Sequence, residues 1–244
     1  MFRFAHFHIK IAAVTVRLSL ALCANEGYLV NDSLVTIVGS SYFEPISALL
    51  EKLEKHDKGN STEVQSGYYV NGFSASICLL AVVCLESYVM RVRYINEANQ
   101  KQIDKASVAS YLKLLYPDFP YEEELLEIHI LRDVIAHNHL WEVSYSWEDD
   151  DMNLQSINKR SSGDGKYKQR VDDCNNITKI LGLNVNPVKV GSDDVKKVLK
   201  VVWQVLLFLE RKNRNQCYVS HLSAMHKGKI LKFGKIIGME ETCT

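Results

Sequence analysis

Apolar residues recur at helical spacing along five segments of the chain, which predicts a mainly α protein. These segments are residues 44–55, 69–98, 104–115, 121–137 and 192–211. Pro120 and three consecutive glutamates mark the start of the fourth, because proline and acidic side chains are favoured in the first turn of a helix. We expect three or four long helices around one core, with some β decoration.

Alternation with a period of two marks a smaller part of the chain as strand. It occurs over residues 14–22 and again over residues 140–147. Residues 148–175 are polar and predict a long exposed loop. Residues 57–67 are a polar linker, so we expect an N-terminal extension of strand and short helix over 1–60, and a helical domain over 61–244.

The composition is that of a globular protein, but the charge is unevenly distributed. Among 244 residues, 47% are apolar and 24% charged, which excludes a collagen, a coiled-coil rod and a disordered tail. The net charge is zero. Residues 1–158 hold 12 basic and 21 acidic side chains, net −9, and residues 159–244 hold 17 and 8, net +9. Such asymmetry raises the possibility of a polyanionic partner.

Residues 73–92 are apolar over the length of a membrane span. Glu86 within this segment, and Arg91 and Arg93 at its end, favour a buried helix, because charges within a membrane are costly. None of the six cysteines forms a C-x-x-C pair, so no zinc knuckle is expected. Free thiols of this kind are typical of the reducing cytoplasm, where we expect the protein, without contact with a membrane.

The helix predicted over residues 121–137 carries the candidate chemistry. At 100° per residue its second half is apolar over most of its circumference. The polar side chains left on that half fall on one stripe: His129, Arg132, Asp133 and His137. Ionisable groups on a buried helix are costly unless they are paired or used. This stripe is therefore the candidate site.

Two interpretations of the stripe need no catalysis. In a structural role, His137 would stabilise the helix C-terminus and Arg132 would pair with an acid, for which Glu86 is a candidate. In a metal site, His129, Asp133 and His137, with His139 nearby, would be ligands. The outer two histidines lie about 12 Å apart along the axis, so adjacent members alone could share an ion. We do not expect a bound metal.

A third interpretation is phosphodiester cleavage. Arg132 would clamp a phosphate and offset negative charge, and His137 would transfer protons. Asp133 could orient either residue, and Asn138 could add a hydrogen bond to substrate. Glu86 could position the catalytic arginine instead of merely neutralising it. Arg132 and His137 diverge by about 140° on the helical wheel, so the long arginine side chain must swing round to meet the histidine. A site built by one such helix is half-open, and a second copy from a symmetric dimer would complete it.

The residues ILRDVIAHNHLW resemble the R-x4-H motif of the HEPN superfamily, the higher eukaryotes and prokaryotes nucleotide-binding domain. The resemblance covers residues 69–240. It implies a bundle of four to five helices and a metal-independent endoribonuclease that needs no cofactor and acts as a homodimer. Arg132 and His137 would then be catalytic. In one subset of the family a modified tyrosine stands two residues after the histidine, where this chain has His139.

The resemblance also implies a toxin or antiphage-defence effector, with an antitoxin or sensor protein as a possible partner. The alternatives are a catalytically inactive module of the same type, which binds RNA, nucleotide or protein, and a purely structural helical protein. We expect a set of basic residues to guide RNA to the site. They are Lys159, Arg160, Lys166, Lys168, Arg170, Lys227 and Lys229.

Aromatic residues occupy one side of the alternating segment that follows the candidate helix. Trp141, Tyr145 and Trp147 share this side with Val143. Aromatic stripes are typical of a core or a dimer interface, and stacking on RNA bases is the alternative.

Overall fold

The computed structural model describes residues 38–59, 64–99, 101, 106–137, 139–148, 151–159 and 165–239. This part of the chain is mostly helical with a few short strands, which confirms the prediction of a mainly α protein. The strand predicted over residues 14–22 lies outside the described residues, as does Asn138.

The long helices lie where the apolar periodicity predicts them. The helices are α1 (Phe43–His56), α2 (Tyr68–Ile95), α3 (Val108–Leu115), α4 (Glu122–Ala136), α5 (Gly165–Arg170), α6 (Ser192–Lys212) and α7 (Phe233–Ile236). Short 3-10 turns occupy Gly39–Tyr42 and Pro187–Lys189. Ser107 caps α3, since its hydroxyl accepts a hydrogen bond from the Ser110 amide.

The helices enclose one main apolar core, in which α2 is central. It packs against α1, α4 and α6, and buries Ile77, Leu85 and Val89 completely. Helix α1 adds Phe43, whose ring contacts that of Trp203 on α6 edge to face. Helices on both sides of residue 60 therefore pack together within one compact unit.

By length and composition alone, α2 is also a candidate membrane span. Half of its most apolar window is nevertheless buried inside the protein. The buried part includes Cys78 and Cys84, which lie among the core residues.

In the part of the chain that the structure describes, six strands form three antiparallel pairs. They are β1 (Trp141–Glu148) with β2 (Asp151–Lys159), β3 (Val171–Asp172) with β4 (Ile177–Thr178), and β5 (Ser223–His226) with β6 (Lys229–Lys232). The long loop predicted over residues 148–175 is therefore wrong, because β2, α5 and β3 lie within it. A β-bulge opposite Ser144 and Tyr145 places Leu154 and Ile157 on one face although they are three residues apart. This spacing hides the period of two.

Candidate functional site

Helix α4 is buried on most sides, as its sequence predicts. Leu125, Ile128, Leu131 and Val134 are each at most 1% exposed. The helix packs against α2, α3 and α6. Its polar side chains therefore lie in restricted surroundings, and their partners determine what they can do.

In the first half of α4, two glutamates, Glu123 and Glu127, have both carboxylate oxygens hydrogen-bonded. Glu127 is completely buried, and its two carboxylate oxygens accept hydrogen bonds from the backbone amides of Ile180 and Leu181, both at 2.8 Å. One turn earlier, Glu123 accepts two hydrogen bonds from the guanidinium of Arg170. Glu127 thus holds the loop after β4 against α4, a structural role that the apolar pattern does not reveal.

Arg132, in the second half of α4, lies between two acids. Its Nη2 donates a hydrogen bond of 3.3 Å to Oε1 of Glu86 on α2. Its Nη1 lies 3.1 Å from Oδ1 of Asp133, which is an ion pair by distance without hydrogen-bond geometry. Arg132 remains 36% exposed, and its buried Nε has no hydrogen-bond partner. The pairing with Glu86 matches the structural interpretation and also fixes the guanidinium in place.

His129 lies one turn before Arg132 and close to Glu86. The distance from its Nδ1 to Oε1 of Glu86 is 3.8 Å. Burial, together with the positive charge of Arg132, lowers the pKa of His129 to about 4. The imidazole is therefore neutral at pH 7, so its contact with Glu86 is not an ion pair.

His137 directly follows the last residue of α4. Its backbone amide donates to the carbonyl oxygen of Asp133 at 2.9 Å, and its side chain is exposed. Among the described residues, no hydrogen bond or ion pair joins His137 to Arg132. The two motif residues thus flank the end of the helix, one held by acids and the other open to solvent.

A group of hydrogen-bond donors surrounds Tyr167 next to this helix end. Nζ of Lys159 lies 3.3 Å from the centre of the Tyr167 ring, and the ring of His139 lies 6.1 Å from it. Trp141 is the strand partner of Lys159 and packs against Val134 and its neighbours. Burial lowers the pKa values of both Lys159 and His139. Nearby carboxylates of Asp133 and Asp173 partly offset this effect.

Buried polar atoms without hydrogen-bond partners are concentrated at this end of α4. Within the described ranges they include His129 Nε2, Arg132 Nε, Asp133 Oδ1, His139 Nδ1, Trp141 Nε1 and Lys159 Nζ. Buried polar atoms are almost always satisfied in native proteins, so each exception needs an explanation, and a catalytic or binding role is one of them. Three of these atoms, Arg132 Nε, Trp141 Nε1 and Lys159 Nζ, are hydrogen-bond donors, which an acceptor oxygen of a ligand would complement.

The structure brings one of the predicted RNA-binding residues, Lys159, to this region. Lys168 is exposed on α5. The Arg170 guanidinium donates hydrogen bonds to Glu123, at the opposite end of α4. Arg160 and the side chain of Lys166 lie outside the described residues.

The other two predicted RNA-binding residues lie at the turn between β5 and β6, which packs against α1. Lys227 forms an ion pair with Glu54, and its backbone amide donates to Glu51. Lys229 is exposed. These contacts tie the turn to α1 rather than to the end of α4.

In the part of the chain that the structure describes, no three His, Cys, Asp or Glu side chains are close enough to hold a metal ion. No protein family, curated protein or solved structure matches the chain. The arrangement of side chains at the end of α4 is therefore the basis for a functional assignment.

Proposed function

We propose that this chain is a metal-independent endoribonuclease of the HEPN type, acting as a homodimer through Arg132 and His137. The observation that carries the proposal is the concentration of buried polar atoms without hydrogen-bond partners around the R-x4-H motif, with Arg132 Nε, Trp141 Nε1 and Lys159 Nζ as the donors among them. Phosphate and ribose oxygens are the acceptors that such donors recognise in RNA. A helical fold with the motif at the end of a buried helix supports the same assignment.

The proposed reaction is cleavage by the ribose 2′-OH. His137 accepts the 2′-OH proton, the 2′ oxygen bonds to phosphorus, and the bond from phosphorus to the 5′ oxygen breaks. A second acid, His137 of another copy, protonates the leaving oxygen. The products are a 2′,3′-cyclic phosphate and a 5′-OH end. Arg132 offsets the negative charge that develops on the phosphate in the transition state.

The surroundings of Arg132 fit this role. Glu86 and Asp133 hold the guanidinium from two sides and leave a third of the side chain exposed. Asp133 and Glu86 are therefore positioning residues. His139 and Lys159 contribute donors for a neighbouring phosphate.

A second copy is needed because Arg132 and His137 do not meet within one chain. Val83 and Met90, which precede and follow Glu86 by about one turn of α2, are 40% and 46% exposed. Exposed apolar side chains beside the site are suited to contact with another copy. We place the protein in the cytoplasm as a toxin or antiphage effector, with an antitoxin or sensor as its regulator.

Incubation of the purified protein with total RNA in EDTA tests the proposal. We expect cleavage products with cyclic phosphate ends, and a loss of at least about 100-fold in rate for both His137→Ala and Arg132→Ala. His221→Ala, a change at an exposed histidine elsewhere, serves as the matched control and should keep full activity. Cleavage that survives both site substitutions would overturn the assignment. RNA binding without cleavage by the unaltered protein would favour the inactive HEPN-like module instead.

A further inference from the structure

A half-open cavity of about 470 Å³ lies where the start of α2 meets the 3-10 turn at Pro187–Lys189. A cavity of this volume is within the range of small-molecule sites in proteins. Along α2, the last residue of the cavity, Phe73, precedes Glu86 by about 20 Å. The cavity is therefore separate from the R-x4-H motif.

Hydrogen bonds fix the rim of the cavity. Ser66 directly precedes the helix, and its backbone amide and hydroxyl donate to the carbonyl oxygens of Val188 and Lys189, at 3.0 and 2.9 Å. From the first turn of the helix, the side-chain amide of Asn71 donates to carbonyl oxygens at the two ends of the same turn, at 2.7 and 3.1 Å. The cavity is thus formed before a ligand binds, which lowers the entropic cost of binding.

Gly72 lies in the second turn of α2 and in the wall of the cavity. A glycine inside a helix destabilises it relative to alanine, so its presence there needs a reason. Close packing is not the reason. Among the described residues, no atom outside its own stretch of helix lies within 4 Å of the point that a Cβ would occupy. The absent side chain instead leaves its space to the cavity.

Aromatic rings form much of the helical side of the cavity. Tyr68 is 85% exposed and Tyr69 is 59% exposed, and their rings meet at 82° with centroids 5.4 Å apart. The ring of Phe73 lies within 21° of parallel to that of Tyr69. On α1, His56 packs against Tyr69 and Phe73, and Lys52 lies 6.0 Å over Phe73. The most exposed ring faces are therefore those of the two tyrosines, and such faces are suited to stacking with a flat ring.

All the residues that the structure shows lining this cavity are uncharged. Their polar atoms belong to the side chains of Gln65, Ser66 and Asn71 and to the two tyrosine hydroxyls. Amides and hydroxyls both donate and accept hydrogen bonds, as the edge of a nucleobase does. Stacking faces combined with neutral polar groups therefore fit a nucleobase better than an ionic or an aliphatic ligand.

We propose that this cavity binds a nucleobase, which stacks on Tyr69 and occupies the space left by Gly72. The proposal does not depend on ribonuclease activity, because the cavity and the R-x4-H motif share no residue. The base belongs either to a free nucleoside or nucleotide or to an unpaired position of a nucleic acid strand. The chemistry of recognition is the same in both cases, and the experiment distinguishes them.

Isothermal titration calorimetry of the full chain tests the proposal with two probes. They are adenosine and a short oligodeoxyadenylate, which lacks the 2′-OH and is not cleaved by the proposed reaction. We expect adenosine to bind with a Kd below about 1 mM. Gly72→Leu places a side chain in the cavity and should weaken binding of both probes at least about tenfold. Tyr69→Ala should weaken it about tenfold through lost stacking.

Tyr94→Ala is the matched control, because this tyrosine is 56% exposed at the other end of the same helix. It should bind both probes like the unaltered protein. The urea midpoint of Gly72→Leu should be no lower than that of the unaltered protein, because leucine favours a helix more than glycine does and meets open space here. This measurement establishes that the variant is folded.

Three outcomes overturn the proposal. They are the absence of binding by both probes at millimolar concentration, unchanged affinity in the folded Gly72→Leu variant, and an equal loss in Tyr94→Ala. Oligonucleotide binding at least about tenfold tighter than that of adenosine, and lost in Gly72→Leu, identifies a base within a strand as the ligand. Equal affinities identify a free nucleoside or nucleotide. Binding that Gly72→Leu abolishes, in a protein that cleaves no RNA, supports the cavity and contradicts the ribonuclease.

Discussion

The two halves of helix α4 are buried among similar apolar neighbours, but their polar side chains differ in hydrogen bonding. In the first half, Glu127 is surrounded by donors, and both carboxylate oxygens receive backbone amides. In the second half, Arg132, Asp133 and the residues beyond them leave buried nitrogen and oxygen atoms without partners. The first arrangement stabilises one conformation of the protein. The second leaves polar atoms that can still form hydrogen bonds to a ligand.

This difference separates polar groups with hydrogen-bond partners from polar groups without them within one helix. A satisfied buried carboxylate is costly to remove, because its partners then become unpaired. A buried donor without a partner destabilises the folded state, and this cost is removed when an acceptor binds. If this distinction is correct, substitutions in the two halves should affect different measurements.

The largest expected contrast is in the free energy of unfolding. Glu127→Leu leaves the amides of Ile180 and Leu181 buried without acceptors, and we expect it to lower stability by about 3–5 kcal/mol. Arg132→Leu removes a cation that is 36% exposed and whose two ion pairs are partly open to solvent, and we expect a change below about 1 kcal/mol. Urea denaturation measures the free energy of unfolding of both variants and of the unaltered protein.

Glu124→Gln, one turn before Ile128 on the same helix, is a suitable control and should unfold like the unaltered protein. Equal losses from Glu127→Leu and Arg132→Leu would remove the distinction between the two halves. The polar stripe would then be a structural network, and the proposed site would lose its main support.

The pH dependence of stability offers a smaller, independent contrast. The folded-state pKa of His129 is lowered to about 4, against about 6.5 in the unfolded chain. Between these values the unfolded state binds a proton that the folded state excludes, so stability falls as the pH decreases from about 6.5 to about 4. Above that window the effect of His129 is absent, and the full loss is about 3 kcal/mol.

His129→Gln keeps a neutral polar side chain and should remove this part of the loss. Urea denaturation at pH 7 and pH 4.5 measures it, with His56→Gln as the control at a histidine whose ring lies against Tyr69. An identical pH dependence in the His129 variant and the unaltered protein would show that the imidazole is not excluded from protonation at this end of α4.

The fold was predictable where apolar residues repeat over long stretches. The five helical segments appear within a few residues of their predicted limits, because burial of one face determines the period. Strand β2 was not predictable in this way. Its acidic start suggested a loop, and the bulge moved Ile157 out of the alternation set by Leu154.

The candidate site was predictable in part for a similar reason. Helical spacing places Arg132, Asp133 and His129 together, and the pairing of Glu86 with Arg132 is confirmed. The clustering of donors around Tyr167 was not predictable, because it arises from tertiary packing between α5, the base of the β1–β2 hairpin and the end of α4. Catalysis by Arg132 and His137 stays a prediction.

The smallest expected contrast is in RNA affinity, between substitutions of two basic residues that were both predicted to bind RNA. Lys159 lies beside His139 with a buried ammonium that lacks a hydrogen-bond partner, whereas the Arg170 guanidinium binds Glu123 through two hydrogen bonds. Glu123 is also about 21 Å along the helix from His137.

In a His137→Ala background, which prevents cleavage, we expect Lys159→Gln to weaken binding of single-stranded RNA about fivefold and to reduce its salt dependence by about one phosphate contact. Arg170→Gln should leave affinity unchanged, because its charge is already neutralised. Fluorescence anisotropy across a salt titration measures both. An equal loss from the two variants would mean that RNA follows a dispersed basic surface and that the end of α4 has no special place in binding.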